Sequence, residues 1–367
     1  MLFRSTVAGT ATGDTTVCAS SNSSVITLNG YVGSIQWQVS TDSSNFSAIS
    51  GATSATYTAS GLTATRYYRA RVKSGVCDSL FSNVVRVAVD PATVAGTVNG
   101  SATVCTGTNA TTLTLNGYTG SIQWQSSSNN TSFSNIADST RSSLVVNDLT
   151  ATTYYRATVT SGVCAVVNSA SATVTVKTLS VGGKVSKDTT VCVTSNSTTL
   201  TLNGYNGTIQ WQRTVNGVFT DISGATAASY VASGLTATTQ FRAIVTNSPC
   251  DVAVSDTATV TVLGVPNGGI LTGTATVCTG SNTTLLTLNG YEGSVVSWQS
   301  SSSAAFTSAT PIANTATTYT ATNLTGTTYY RAVVNNGACA NYSDTAAVFV
   351  DAASVGGTAA PATSTVC

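Results

Sequence analysis

A segment of about 13 residues recurs four times in this chain and constrains its fold more than any other feature. It reads ITLNGYVGSIQWQ from residue 26, LTLNGYTGSIQWQ from 113, LTLNGYNGTIQWQ from 200 and LTLNGYEGSVVSWQ from 286. Its tryptophan returns every 87 residues, at Trp37, Trp124, Trp211 and Trp298. A fixed period of this length predicts consecutive copies of one domain of immunoglobulin-like size.

The cysteines follow the same period. One cysteine precedes each tryptophan, at Cys18, Cys105, Cys192 and Cys278, and one follows it, at Cys77, Cys164, Cys250 and Cys339. Cys367, in TSTVC, matches the TTVC and ATVC of earlier starts. We therefore expect four complete repeats, at 1–90, 91–177, 178–263 and 264–351, and the truncated start of a fifth at 352–367.

Apolar and polar residues alternate with period two inside each repeat, which is typical of half-buried antiparallel strands. Each tryptophan is in phase with an apolar residue two positions earlier, at Ile35, Ile122, Ile209 and Val296. We therefore place the tryptophans in the core. The predicted fold is all-β: four tandem immunoglobulin-like β-sandwich domains in an extended rod, roughly 35 to 40 Å per domain and about 150 Å in all.

The YYRA strand separates two faces when the repeats are compared. One face is always apolar, as in Tyr68, Ala70 and Val72. The other face carries aromatic and charged residues, at Tyr67, Tyr154, Tyr329, Arg69, Arg156, Arg242 and Arg331. We expect this second face to meet solvent or a neighbouring loop, with each tyrosine beside its arginine or, alternatively, available for a sugar or protein contact.

Composition limits the partners and the compartment. Charged residues make up 7% of the chain and the net charge is +1, which argues against nucleic acid as a partner. Nine cysteines without a CxxC spacing indicate disulfides and an oxidising compartment. No apolar run is long enough to insert in a membrane, and MLFRSTVAGT lacks the apolar core of a signal peptide. We expect an extracellular location, with an export signal outside this chain.

The order of short motifs resembles a known group of repeats. GGxV…TVC, LTLNGYxGSIQWQ, GAT, LTATTYYRA and SGVC…S…VTV are similar to the immunoglobulin-like repeats of giant Bacteroidota surface proteins, including gliding-motility adhesins exported by type IX secretion. The resemblance covers nearly the whole chain. It implies a stalk at the cell surface, because such repeats connect parts whose activity lies elsewhere. The terminal sorting domain of that group is not found in these residues.

Catalytic and metal chemistry find little support in the sequence. The chain has no histidine, which removes Ser-His-Asp and Cys-His catalysis and most zinc sites. Glu292 is the only glutamate, and no D-x-D-x-D loop is present. We expect a protein that is not an enzyme and needs no cofactor or metal.

Two functions fit these observations. The first is a stalk or filament segment of a large adhesin that spaces an adhesive or motility element from the cell, with neighbouring repeats as its partners. The second is a multivalent array with a weak carbohydrate or protein site on each domain, in which surface polysaccharide or other cell-surface proteins are the partners.

Short Asp-Thr and Asp-Ser sequences resemble the O-glycosylation acceptor of Bacteroidota. The acceptor residues would be Thr15, Ser139, Thr189, Thr257 and Thr345. The alternative is that such pairs arise by chance in a threonine-rich chain.

Two disulfide registers are open. Pairing inside each repeat joins Cys18 to Cys77 and so on, closes loops of about 60 residues and leaves Cys367 unpaired. Pairing across boundaries joins Cys77 to Cys105 and so on, always 28 residues apart. We favour the first register, because the longer loop restricts the unfolded chain more and each sandwich is then stabilised separately.

Overall fold

The computed structural model describes residues 5–19 and 22–358, and every helix or strand assigned within those ranges is a β-strand. Repeat 1 contains β1 (Thr10–Thr12), β2 (Thr15–Cys18), β3 (Ser23–Asn29), β4 (Ser34–Ser40), β5 (Ser47–Ala48), β6 (Thr56–Ser60), β7 (Arg66–Lys73), β8 (Leu80–Phe81) and β9 (Val85–Asp90). Repeat 2 contains β10 (Thr97–Asn99), β11 (Ala102–Cys105), β12 (Ala110–Asn116), β13 (Ser121–Ser127), β14 (Ser134–Asn135), β15 (Ser143–Asn147), β16 (Thr153–Thr160), β17 (Val167–Asn168) and β18 (Ala172–Lys177).

The same nine strands return in the second half of the chain. Repeat 3 contains β19 (Lys184–Val185), β20 (Thr189–Cys192), β21 (Ser197–Asn203), β22 (Thr208–Val215), β23 (Val218–Asp221), β24 (Ser229–Ser233), β25 (Thr239–Thr246), β26 (Ala253–Val254) and β27 (Ala258–Leu263). Repeat 4 contains β28 (Ile270–Thr272), β29 (Ala275–Cys278), β30 (Thr283–Asn289), β31 (Ser294–Ser301), β32 (Thr310–Ile312), β33 (Thr318–Thr322), β34 (Thr328–Asn335), β35 (Ala340–Tyr342) and β36 (Ala346–Asp351).

Each repeat is a sandwich of two sheets. In repeat 1 the smaller sheet has the order β1-β3-β6, and the larger has the order β2-β9-β7-β4-β5, with β8 beside β7. Repeats 2, 3 and 4 have the same order. The pairing of β2 with β9, like its counterparts, is parallel, and the other strand pairs are antiparallel. The chain is therefore an all-β series of four immunoglobulin-like sandwiches. They fall into two compact units, Met1–Leu179 and Ser180–Cys367, of two repeats each.

Every sandwich has its own hydrophobic core, because alternate residues of both sheets point inward. In repeat 1 the smaller sheet contributes Ile26 and Leu28, and the larger contributes Trp37, Tyr68 and Val72. Equivalent clusters fill the other three repeats.

One inward residue of repeat 4 differs from the sequence-based expectation. Val296 was expected to share the inner face with Trp298, but it is 46% exposed, whereas Val295 is 7% exposed and lies in the core. The reason is a β-bulge between Val295 and Ser297, which accommodates the extra residue in LTLNGYEGSVVSWQ. A bulge shifts the alternation by one position, so the neighbouring valine faces inward.

Strand direction places the two cysteines of a repeat at opposite ends of the sandwich. Because β2 and β9 are parallel, Cys18 lies beside Asp90 at the end where the chain leaves the repeat, which we call the exit end. Strand β7 starts near the exit end, with Arg66 opposite Val87, and runs seven residue steps away to Lys73. At about 3.3 Å per step, β7 ends roughly 23 Å beyond Arg66, so the loop that follows it lies at the end of the sandwich opposite Cys18. We call this opposite end the entry end.

Candidate functional site

A disulfide joins consecutive repeats within each unit. Cys18, at the exit end of repeat 1, is bonded to Cys164 in the loop after β16 of repeat 2, with a Cα separation of 5.0 Å. Cys192, at the exit end of repeat 3, is bonded in the same way to Cys339 in the loop after β34 of repeat 4, at 4.9 Å. In both units the first cysteine of one repeat is therefore bonded to the second cysteine of the next repeat.

The pairing inside repeats that the sequence analysis favoured is wrong for these residues. Cys18 and Cys77 lie at opposite ends of one sandwich, far beyond the Cα separation of about 4.4 to 6.8 Å that a disulfide requires. The register of 28 residues fails as well, because Cys164 and Cys192 are both bonded elsewhere.

The remaining cysteines also depart from the expected set. Cys105 and Cys250 are disulfide-bonded. Among residues 5–19 and 22–358, the free thiols are those of Cys77 and Cys278, both of which were expected to be bonded. Cys367, expected to be unpaired, lies outside the described residues.

The segment that connects repeats 1 and 2, residues 90–93, forms hydrogen bonds with the loop that carries Cys164. The Asp90 carboxylate accepts the backbone N–H of Val163 at 2.9 Å. The Thr93 hydroxyl accepts the N–H of Ser161 at 3.2 Å, and the Cys164 N–H donates to the Ser161 carbonyl at 2.9 Å. The loop that carries Cys164 is thus held against the segment that leaves repeat 1.

The junction of repeats 3 and 4 uses other groups for the same purpose. The Asn336 side-chain amide donates to the Gly264 carbonyl at 2.8 Å, and the Asn341 amide donates to the Pro266 carbonyl at 2.9 Å. The Asn336 side-chain oxygen also accepts the N–H of Cys339 at 3.0 Å. Here the donating side chains come from the loop and from β35, and the acceptors come from the connecting segment, residues 264–266.

An asparagine fixes the chain after each first cysteine, a feature that the sequence analysis missed. The Asn22 amide donates to the Cys18 carbonyl at 2.8 Å and to the Leu62 carbonyl at 2.7 Å, while its oxygen accepts the Leu62 N–H. The same arrangement recurs at Asn109, Asn196 and Asn282. The constant Cys-x-x-x-Asn spacing in the four repeats could have revealed this asparagine from the sequence.

The four tryptophans lie in the cores. Trp37, Trp124, Trp211 and Trp298 are each 0% exposed. Their indole N–H groups donate to backbone carbonyls at 2.8–3.0 Å, those of Ser54, Arg141, Ala227 and Ala316. A sugar therefore cannot stack on these rings without opening a sandwich.

The outward arginines are held by partners that the sequence analysis did not identify. Nε of Arg69 donates to the Gln38 side-chain oxygen at 2.8 Å, and its guanidinium lies 4.1 Å from the ring centroids of Phe46 and Phe81. Arg156, Arg242 and Arg331 each pair with a glutamine and a phenylalanine in the same way, through Gln125, Phe133, Gln212, Phe219, Gln299 and Phe306. Arg331 also lies over Tyr342 at 3.6 Å. These cation–π contacts explain how each repeat keeps an arginine on its outer face.

The outward tyrosines are half-buried beside these arginines. Tyr67 lies between Ser40 and Arg86 of the adjoining strands, and Tyr154 and Tyr329 occupy the same position in their repeats. Gln240 replaces the tyrosine in repeat 3. In repeats 1, 2 and 4 the tyrosine and the arginine therefore lie on the same sheet face, whereas repeat 3 has only Arg242 there.

In most of the Asp-Thr and Asp-Ser sequences, the aspartate forms a hydrogen bond that belongs to the fold. Thr15, Thr257 and Thr345 are exposed, whereas Ser139 and Thr189 are half-buried. The aspartates before four of them accept backbone N–H groups across the sandwich, Asp14 from Arg86, Asp188 from Thr259, Asp256 from Val185 and Asp344 from Leu271. Their recurrence thus has a structural cause that does not require a glycan. O-glycosylation stays a prediction.

In the described part of the chain, no group of three or more His, Cys, Asp or Glu side chains could hold a metal ion. Nor does that part contain a helix long and apolar enough to cross a membrane. A cavity of 280 Å³ in repeat 1 is lined by neutral residues of the segment 50–58.

Solved structures of several tandem-domain fragments resemble the chain at low sequence identity. The ICAM-5 D1–D4 ectodomain fragment is 11% identical, with a TM-score of 0.43 and 93% of this chain and 99% of that one covered. The chicken CNTN1 FN1–FN3 domains are 15% identical, with a TM-score of 0.29 and coverage of 70% and 97%. The I9–I11 tandem of titin is 16% identical, with a TM-score of 0.28 and coverage of 70% and 100%. Comparison with curated proteins finds no match.

The repeats themselves match one family. A model of a domain of unknown function, DUF8696, matches four consecutive segments, at residues 7–91, 94–178, 181–264 and 267–352. Each segment contains one sandwich and both of its cysteines. The chain therefore belongs to the DUF8696 family, as four tandem copies of its domain.

Proposed function

We propose that this chain is a non-enzymatic stalk segment of an extracellular adhesin, which spaces an adhesive or motility element from the cell. The observation that carries the proposal is the disulfide between consecutive repeats, Cys18 to Cys164 and Cys192 to Cys339. Two domains joined by a single flexible segment move relative to each other by default. A second covalent connection restricts that motion and lets the number of repeats set a distance.

Composition and redox chemistry support the location. Structural disulfides persist in oxidising compartments and are rare in the cytosol. Six cysteines of the described residues are bonded. The resemblance to repeats of Bacteroidota surface proteins agrees with a cell-surface position and suggests gliding motility as one setting.

The alternative, a multivalent binding array, has few side chains left to form its sites. The tryptophans are fully buried, and each outer-face arginine is occupied by a glutamine and a phenylalanine. Tyr67, Tyr154 and Tyr329 remain the surface for such contacts. No feature of the described residues favours the array over the stalk.

A deletion tests the proposal. Removing residues 92–178 deletes one 87-residue period, so that repeat 3 directly follows repeat 1. Cys18 then has Cys250, the second cysteine of repeat 3, as its partner. We expect small-angle X-ray scattering to show a maximum dimension shorter by one repeat, and the parent protein to keep its adhesion. An unchanged dimension would contradict the stalk, and saturable binding of this chain to a glycan array would favour the array. Tyr67→Ala would then show whether the tyrosines form that site.

A further inference from the structure

Repeat 1 carries positive charges that the other three repeats lack. The outward positions of β7 hold Arg69, Arg71 and Lys73. The neighbouring strand β9 adds Arg86, which lies opposite Tyr67. We call these four cationic residues the basic face, and we propose that it binds an acidic polysaccharide, a polymer with carboxylates on its sugars. The inference goes beyond the stalk proposal and does not depend on it.

The equivalent positions of repeats 2, 3 and 4 show that the fold does not require these charges. Only the arginine equivalent to Arg69 is present in every repeat. The other three positions are neutral in repeats 2, 3 and 4, which hold Thr158, Ile244 and Val333 in place of Arg71, Thr160, Thr246 and Asn335 in place of Lys73, and Thr173, Thr259 and Ala347 in place of Arg86. The three additional charges therefore need an explanation other than folding, and the site is confined to repeat 1.

The strands around the basic face supply little negative charge of their own. Strands β4, β7 and β8 contain no aspartate or glutamate. The aspartates of repeat 1 lie in its loops or at the end of β9, at Asp14, Asp42, Asp78 and Asp90. Three of them already accept backbone N–H groups, Asp14 from Arg86, Asp42 from Ser44 and Asp90 from Val163. The guanidinium groups of Arg71 and Arg86, both exposed residues, can therefore bind an anionic ligand.

Aromatic rings lie among the charges. The Arg69 guanidinium lies 4.1 Å from the ring centroids of both Phe46 and Phe81, and its Nε donates to the Gln38 side-chain oxygen at 2.8 Å. Phe81 is still 46% exposed, and it lies opposite Arg71 in the strand pairing. The apolar face of a sugar ring can pack on Phe81 while its carboxylate reaches a guanidinium. Because two rings already hold Arg69 in place, that side chain loses little freedom when it binds a carboxylate.

The spacing of the charges fits an extended polymer. Alternate residues of a strand lie roughly 7 Å apart, so Arg69, Arg71 and Lys73 form a line of about 13 Å along β7. Arg86 lies beside this line, because β9 is the next strand of the sheet. A linear polysaccharide with a carboxylate on each sugar can therefore contact several of these residues at once.

Nucleic acid is also a polyanion, but two observations favour the polysaccharide. The chain has a net charge of +1, so it lacks the long-range positive field that attracts a phosphate backbone. The disulfides indicate an oxidising compartment outside the cytosol, where acidic polysaccharides are common polyanions.

The test is isothermal titration calorimetry of the full chain with an oligomer of galacturonic acid. We expect one site per chain and an affinity that falls as salt is added, because the contacts are charged. Arg71→Thr and Arg86→Thr introduce the residues that repeat 2 has at these positions, and each should weaken binding at least about tenfold, the usual effect of losing a hydrogen bond to a charged group. The control variant Arg141→Thr/Arg213→Thr removes two positive charges from exposed positions of repeats 2 and 3 and should bind normally.

A second variant tests the aromatic contact without changing the charge. Phe81→Asn introduces the Asn168 of repeat 2 and should weaken binding, because the sugar ring loses the surface on which it packs. An unchanged affinity would overturn that contact.

Several results would overturn the proposal as a whole. These are the absence of saturable binding, an equal loss in the control variant, equal binding of neutral dextran, or tighter binding of single-stranded DNA. One ligand per repeat would also overturn it and would support the array, whereas one per chain is compatible with the stalk. Unfolding of the arginine variants at the temperature of the unchanged chain ensures that a loss of binding does not come from misfolding.

Discussion

The junction of repeats 1 and 2 and the junction of repeats 3 and 4 share a covalent bond but differ in their hydrogen bonds. In the first, the Asp90 carboxylate of the connecting segment accepts an N–H of the loop. In the second, the Asn336 amide of the loop donates to a carbonyl of the connecting segment. The loop donates at both junctions, but the side chain belongs to the connecting segment in the first and to the loop in the second. The disulfide Cα separations, 5.0 and 4.9 Å, are nearly equal all the same. Fold topology positions the disulfide, and the surrounding polar contacts are interchangeable.

The largest expected effect is the loss of the bond itself, which should be the same at both junctions. Cys18→Ser and Cys192→Ser each open a covalent loop of similar size, with separations of 146 and 147 residues. In the chain-entropy treatment each loss costs about 5 kcal/mol. Calorimetry of the full chain should therefore show similar decreases in the transition temperature. Cys278→Ser, which removes a free thiol from the same position, is the control, and an equal effect there would contradict the comparison.

Removing the core tryptophan of repeat 2 should destabilise that repeat and leave repeat 4 unchanged. Trp124→Ala removes a fully buried ring and should lower the stability of repeat 2 by about 3 to 5 kcal/mol. Hydrogen exchange should accelerate in β10–β18 and stay unchanged in β28–β36. Loss of a binding activity without loss of protection would instead place Trp124 in a surface site.

Removing one polar contact at each junction should lower stability at both, but the size of the loss should depend on salt only at the junction of repeats 1 and 2. Asp90→Ala and Asn336→Ala should each reduce stability by about 1 kcal/mol, the usual net value of such hydrogen bonds. The Asp90 contact involves a charge, so its contribution should shrink at high salt, whereas that of Asn336 should not. Urea denaturation at low and high salt measures both. An identical salt dependence would mean that charge is irrelevant at the first junction.

The smallest effect concerns alkaline pH and distinguishes repeat 3 from repeats 1 and 4. Burial raises the pKa of Tyr68 and of Tyr330 to about 12. Between the ordinary tyrosine pKa of about 10 and this value, the unfolded chain loses protons that the folded chain retains. The stability that these residues contribute is complete below pH 10 and is lost as the pH rises toward 12. Repeat 3 has Phe241 at this position and should lack this loss.

Tyrosinate absorbance of the folded chain measures the alkaline effect directly. The phenols of Tyr68, Tyr155 and Tyr330, whose pKa burial raises, should titrate late, and Tyr68→Phe should remove one of them. Titration of all tyrosines near pH 10 would show that these rings are not protected.

Much of the fold could be predicted from the sequence because a period of two marks the inner face of a strand. The core position of Trp37 and the apolar face of Tyr68 and Val72 follow from this alternation, and the repeat count follows from the 87-residue period of the tryptophans. The disulfide partners could not be predicted, because alternation does not tell which end of a sandwich a cysteine occupies. That information comes from the parallel pairing of β2 with β9.

The outer-face contacts were missed for another reason. Phe46 and Phe133 lie nine residues after their tryptophans, whereas Phe219 and Phe306 lie eight residues after theirs. Because the loop before the phenylalanine varies in length, a comparison of spacings does not reveal that every repeat has the same arginine–phenylalanine contact. The bulge at Val295 had a similar effect, since one inserted residue reversed which valine faces the core.

The repeat-to-repeat disulfides determine which residues would bear a pulling force. Each bond is a covalent shortcut across 146 or 147 positions, so the segments it bypasses are shielded from the load. The shortest covalent path from end to end runs through residues 1–18, 164–192 and 339–367. Fully extended, those roughly 75 residues span about 260 Å, whereas the whole chain without the bonds would span about 1,250 Å. Even with every sandwich unfolded, the oxidised chain could therefore extend to about 260 Å and no further.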